Sequence, residues 1–173
     1  MDIQILNTDS LRLKIKKTTF AVDPKTNIAK FDAEAILVMD KSFDPTRVNN
    51  SRIIIEGPGE YEISGVKVSG IKSDGDTIYS LFSDSVRILL AKASSLEKIS
   101  KDKLLDYRIV IINADSFLNQ TLITAMEPRI VILYAEKKKE GAKLLGKENA
   151  AIFPKISISE DKLPEELEVM ILG

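Results

Sequence analysis

The chain of 173 residues contains no cysteine, no histidine and no tryptophan. Without cysteine it has no disulfide, no thiolate zinc site, no iron–sulfur cluster and no thiol nucleophile. The missing histidine excludes more. It is the commonest metal ligand and the side chain that titrates nearest neutrality, so a Ser-His-Asp triad, imidazole-ligated zinc and imidazole acid–base catalysis all fall away. An excess of charge is lacking as well: 25 Lys+Arg against 26 Asp+Glu leave a formal net charge of −1. Overall charge therefore gives no attraction to nucleic acid or membrane. Long apolar runs are also missing. Those at 109–112 and 130–135 fall far short of the ~20 residues that span a bilayer, and the opening residues carry charges where a signal peptide has an apolar stretch. The expectation is a soluble cytoplasmic protein without a membrane partner.

What is present is enough apolar material, 44% of residues, for one core, and residues 1–173 are expected to form a single domain. The first two-thirds reads as strands, alternating apolar and polar residues as half-buried strands do at 3–5, 11–15, 61–63 and 66–71, with further strands at 18–22, 77–82 and 86–90. Residues 35–39 are wholly apolar, which fits a strand covered on both faces, and 53–55 form another short strand. Turn residues separate these runs at 7–10, 23–24, 57–59, 74–76 and 84–85. After residue 90 the pattern changes. Ser95 can cap a helix over 95–105, followed by a strand at 109–112, a helix over 116–126, a strand at 130–134, a helix over 138–145 and strands at 151–153 and 169–172. Strands alternating with helices at this spacing predict parallel βαβ pairing. The fold class is therefore α/β, two sheets packed face to face with helices outside.

Five strings in serial order carry a family resemblance: Phe20-Ala21-Val22-Asp23-Pro24, the apolar strand ending at Met39, Gly57-Pro58-Gly59-Glu60-Tyr61-Glu62-Ile63, Asp76-Thr77-Ile78-Tyr79 and Met126-Glu127-Pro128-Arg129-Ile130-Val131-Ile132. Together they resemble the metallo-β-lactamase superfamily, in particular its small bacterial and archaeal hydrolase-like members with a GPGEYE turn. The resemblance covers most of the chain and implies a compact version of the four-layer αββα sandwich. It also implies a T-H-x-H-x-D-H signature after the apolar strand, whose histidines hold one or two metal ions that activate water. Here those histidine positions carry Asp40, Ser42 and Pro45, and the motif's aspartate is Asp44. The later histidine and bridging aspartate fall at Leu90 and Ala93, and the last histidine at Ala135.

The expected remnant of that cleft is Asp23, Asp40, Lys41, Ser42, Asp44, Pro45, Leu90, Lys92, Ala93 and Ala135, with no catalytic residue, no metal and no cofactor. Apolar filling at Leu90 and Ala135 suggests a partly closed cleft. Lys41 or Lys92 is expected to neutralise the carboxylates that a metal would balance, since a buried unpaired carboxylate is costly. The leading expectation is a catalytically degenerate binding or structural protein whose partner is another copy of itself or another protein.

Two alternatives stand beside it. Asp23, Asp40 and Asp44 offer oxygen ligands for Mg²⁺ or Mn²⁺ in a hydrolase. Lys137, Lys138, Lys139, Lys143 and Lys147 offer a nucleic-acid face, disfavoured because Glu136, Glu140 and Glu148 are interspersed and no aromatic is. Glu60 and Glu62 read as solvated charge on an edge strand. Ser42, Ser94 and Ser95 have no base beside them unless Lys41 or Lys92 is desolvated.

Overall fold

A computed structural model of the protein describes residues 1–83, 86–104, 106–159 and 161–173; the turn expected at 84–85 and the end of the helix expected at 95–105 fall outside them. Strands β1 (Asp2–Ile5), β2 (Leu11–Ile15) and β3 (Thr18–Val22) form an antiparallel meander. Strands β4 (Phe31–Asp32) and β6 (Val48–Asn49) make a two-stranded ribbon, while β5 (Ala35–Leu37) and β7 (Ile53–Ile55) continue the first sheet in parallel beside β3. The second sheet opens with the antiparallel strands β8 (Gly59–Ile63), β9 (Val66–Ser73), β10 (Asp76–Ser83) and β11 (Val86–Lys92). The chain then runs through α1 (Ala93–Leu96), β12 (Ile109–Asn113), α2 (Gln120–Ala125), β13 (Ile130–Tyr134), α3 (Lys138–Leu144), β14 (Ile152–Phe153), β15 (Lys155–Ser157), which returns to the first sheet, and β16 (Glu168–Leu172).

The six-stranded sheet has the order β15-β1-β2-β3-β5-β7 and the eight-stranded sheet the order β14-β16-β13-β12-β11-β10-β9-β8. As the strand–helix alternation predicts, β11, β12, β13 and β16 are parallel neighbours. The inner faces of the two sheets meet in one core, with Leu13, Phe20 and Leu37 from the first and Leu81, Ile111 and Ile132 from the second, all fully buried. Helical segments cover the outer face of the second sheet, where Leu96, Ile123 and Ala142 pack against Val110, Ile112 and Leu133. Over the first sheet the cover is different. The ribbon and the segment after β5 lie on Ala21, Ile36 and Val38, with Phe31, Ala33, Phe43 and Val48 above them, and among the described residues no α-helix does so. The sandwich is thus as expected, while its fourth layer is reduced to a ribbon and one 3-10 turn.

Three local expectations need correction. The helix at 95–105 is instead the short α1 and a separate 3-10 turn at Lys101–Leu104. Ser95 does not cap it: its hydroxyl donates to Asp76 Oδ2 at 2.8 Å, and its carbonyl accepts from Ser73 Oγ at 2.6 Å. The helix expected from residue 116 starts at Gln120, because Asn119 Oδ1 accepts from Leu122 N at 3.3 Å and fixes the cap there. Strand β15, with one buried residue (Ile156), was not expected; it closes the first sheet against β1.

Gly57-Pro58-Gly59 forms no helix terminus; it leads into edge strand β8 and lies over Gly70 of β9. A methyl group on Gly70 would overlap the Gly57 carbonyl oxygen and come within 3.1 Å of Pro58 Cα. Backbone yields less readily than a side chain, so Gly70→Ala should lower stability by about 1–3 kcal/mol, read as a shift in denaturant midpoint, whereas Gly57→Ala meets open space and should not.

Candidate functional site

Polar residues stand at or shortly after the ends of strands β3 and β5 of the first sheet and β11, β12 and β13 of the second. Chain enters and leaves the sandwich there, and five of the ten remnant positions lie in or just after these ends: Asp23 after β3, Asp40 after β5, Lys92 and Ala93 at the end of β11, and Ala135 after β13. Beside them opens a cleft of about 590 Å³ whose lining includes Met39, Asp40, Lys41, Glu56, Thr77 and Lys92.

Asp23 is 1% exposed and adopts φ 44, a left-handed conformation that aspartate tolerates better than most residues. Its Oδ1 accepts from Met39 N at 2.7 Å and Asp40 N at 2.9 Å, so it ties the segment after β5 to the end of β3. Among the described residues Oδ2 has no hydrogen-bond partner. Burial pushes the carboxyl up to about 6, against the opposing pull of the two amides and of Lys25. The fully buried Tyr134 hydroxyl and Asn113 Oδ1 likewise lack hydrogen-bond partners among the described residues. Burial first, then the charge of Asp23, holds the Tyr134 phenol well above its ordinary range.

Asp40 has a different environment. Lys25 Nζ donates to Asp40 Oδ2 at 2.6 Å, to Ser42 Oγ at 2.6 Å and to the Ser42 carbonyl at 3.0 Å. Ser42 in turn donates to Asp40 from its hydroxyl (2.9 Å) and its amide (3.1 Å). Partial burial works to raise the Asp40 carboxyl, yet Lys25 and Ser42 outweigh it and hold the group at about 2. All three ammonium hydrogens of Lys25 are thereby engaged at two positions where the resemblance places histidine ligands. The cation that neutralises Asp40 is therefore Lys25, and not Lys41 or Lys92 as expected. Lys41 lines the cleft without an ion pair to a described residue.

Lys92 has a carboxylate partner, but not one of the three anticipated. Its Nζ lies 3.4 Å from Asp115 Oδ2, and Asp115 also accepts from the Ser94 amide (3.0 Å) and hydroxyl (2.6 Å). Asp44 turns to its own loop. It accepts from Thr46 N (3.0 Å) and Thr46 Oγ1 (2.7 Å) and faces Arg47 Nε at 3.4 Å, capping the 3-10 turn Pro45–Arg47; these contacts, the Thr46 hydroxyl foremost, lower its carboxyl. Leu90, Ala93 and Ala135 are at most 2% exposed and belong to the apolar cores, with Ala135 held at φ 73. Glu60 and Glu62 stand exposed on edge strand β8, where Glu60 accepts from Ser69 Oγ at 2.5 Å.

Sequence reasoning missed Lys25 and Asp115. Asp115 resembles Asp23 in being an acidic residue shortly after a buried strand. Lys25 carries no such mark, because its partners lie across the parallel β3–β5 pairing.

The residues present do not fit a catalytic zinc centre of the histidine type. The imidazole positions hold a carboxylate committed to an ammonium, a hydroxyl, a proline and buried aliphatic groups. No three His, Cys, Asp or Glu side chains among the described residues converge as a ligand set.

The chain has the metallo-β-lactamase fold. No protein-family model and no curated protein matches the sequence, but solved structures do. A candidate zinc-dependent hydrolase of the metallo-β-lactamase superfamily from Thermotoga maritima aligns with TM-score 0.73 and 13% identity over 99% of this chain and 98% of its own. The metallo-β-lactamase fold protein YhfI from Bacillus subtilis aligns with TM-score 0.61 and 5% identity over 98% and 95%. An isothiocyanate hydrolase from Delia radicum gut bacteria aligns with TM-score 0.59 and 9% identity over 92% and 99%. No helix of the described residues is long and apolar enough to cross a membrane.

Proposed function

We propose that this protein is a binding module built on a hydrolase fold, working without a metal and without turnover. The Lys25 ammonium carries this reading. It bonds Asp40 Oδ2, Ser42 Oγ and the Ser42 carbonyl, and so supplies positive charge from the chain itself where the fold's hydrolases use a metal ion. A cation seated there competes with any divalent ion for the same oxygens. The rival reading, an oxygen-ligated metal on Asp23, Asp40 and Asp44, asks for three carboxylates that converge. In this chain one is buried against two backbone amides, one is bound to Lys25 and one caps a turn. The open cleft, which combines Lys41, Lys92 and Glu56 with the apolar Val38, Met39 and Phe43, supports binding of a small ligand.

Elemental analysis of protein purified without chelator should show no stoichiometric zinc or manganese. Titration with either ion should show no saturable site, and ester and phosphodiester substrates should not turn over. One equivalent of tightly held metal accompanied by turnover would overturn the reading. The Lys25→Met variant should lose roughly 1 kcal/mol, modest because Asp40 is partly solvated. Unchanged stability in this variant would show that the clamp does not hold the loop.

A further inference from the structure

A second feature lies on the outer face of the second sheet and shares no residue with the cleft. Because α2 starts only at Gln120, Phe117 stands outside the helix and is 68% exposed, the most exposed large apolar side chain among the described residues. It lines a groove of about 520 Å³ together with Leu118, Gly141 and Leu144, the last 41% exposed. Gly141 lets α3 lie close against the sheet beneath the groove: a Cβ there would come within 2.6 Å of Leu118 Cδ1 and 3.2 Å of the buried Leu133 Cδ1. The walls are charged. Lys137 Nζ lies 4.2 Å from the centroid of the Phe117 ring, and Glu140 and Lys143, the latter 2.9 Å from Glu148 Oε1 in an exposed pair that a partner's carboxylate would share, complete the rim. Residues 136–148 carry five lysines against three glutamates, a basic segment on a chain whose net charge is −1.

An isolated exposed leucine needs no explanation, but an apolar groove edged by lysines is a concave surface with a charge preference. A second copy docking through the same face would set one lysine-rich helix against another, which like-charge repulsion opposes. Single-stranded nucleic acid would need several aromatic platforms, whereas the groove has one ring, already covered by a lysine, among otherwise aliphatic and charged side chains. We propose that this groove docks an acidic amphipathic segment of a partner protein, its apolar side chains against Phe117, Leu118 and Leu144 and its carboxylates beside Lys137 and Lys143.

The test uses fluorescence anisotropy on the full chain with three labelled probes. One is a synthetic helix with leucines at i, i+3, i+4 and i+7 and glutamates elsewhere; the second is the same peptide with lysine for glutamate; the third is single-stranded poly(U) RNA. The acidic peptide should bind at least about tenfold more tightly than its basic counterpart, and added salt should weaken it. Phe117→Ser and Lys137→Glu/Lys143→Glu should each weaken it about tenfold or more, with thermal unfolding unchanged because these side chains are exposed or half-exposed. Equal binding of the two peptides, no binding of either, or preference for RNA would overturn the proposal. So would a concentration-dependent dimer, seen by light scattering and dispersed by Phe117→Ser. None of these results bears on metal binding or turnover at the cleft.

Discussion

Asp23→Asn should stabilise the protein at pH 8 by about 1–2 kcal/mol and flatten its stability profile between pH 4 and 6. The sign follows from linkage. In the folded state the Asp23 carboxyl sits at about 6, above its ordinary 3.8, so the folded state binds the proton more tightly than the unfolded chain. Its favourable contribution is complete below pH 3.8, declines as pH rises, and is lost once pH passes about 6. A shift of about two units corresponds to roughly 3 kcal/mol of penalty on the charged form. Asparagine removes the charge while its Oδ1 still accepts from Met39 N and Asp40 N, but its amide nitrogen needs a partner where Oδ2 had none, which offsets part of the gain. Asp23→Ala should behave in the opposite way and cost about 2–4 kcal/mol across the range, since both amides lose their acceptor. Urea unfolding at pH 4, 6 and 8 separates the cases. Parallel profiles for the asparagine variant and the parent would show that Asp23 is not held protonated by burial. Asp40 does not obscure this window. Held at about 2, it contributes stability above 3.8 that is lost only as pH falls towards 2.

Tyr79→Phe is the second large effect. The Tyr79 hydroxyl lies 2.8 Å from the Val38 carbonyl and 2.7 Å from that of Ile55, reaching from β10 of the second sheet to the ends of β5 and β7 in the first. Burial raises its phenol well above the ordinary value, which favours the protonated, donating form. Ile55 O also accepts from Val38 N at 3.0 Å, so the loss falls mainly on the Val38 carbonyl. About 2 kcal/mol should disappear with the oxygen, because a buried acceptor is left without a partner. Opening at this junction should also quicken hydrogen exchange at the Met39 and Asp40 amides, which sit next to it. Unchanged exchange and an unchanged midpoint would show that the two sheets do not depend on this tie.

Much of the fold is written in local periodicity. Strands such as β2 and β13 can be recognised because alternation or an unbroken apolar run specifies which faces are covered, and β3 ends where Pro24 removes a donor. Pairing between distant segments leaves a fainter trace. Strand β15 buries only Ile156 and exists because β1 offers it an edge, so nothing in its own residues announces it. At 95–105 the apolar spacing suggests one helix, but the side chains of Ser95 and Ser73 bind the segment to β9 and β10 and end the helix after one turn. The site divides in the same way. The absence of every imidazole and the apolar replacements follow from residue identity, whereas the capping of the 3-10 turn by Asp44 is visible only in the folded loop. The pairing of Lys25 with Asp40 and of Lys92 with Asp115 follows only from which strand ends the sheets bring together.

The ammonium that fastens the Asp40–Ser42 turn is covalently part of the chain. It cannot be removed by a chelator, exchanged for a competing ion or limited by supply, and no loading step intervenes between synthesis and a finished loop. Whatever the supply of metal ions, such a turn stays in place.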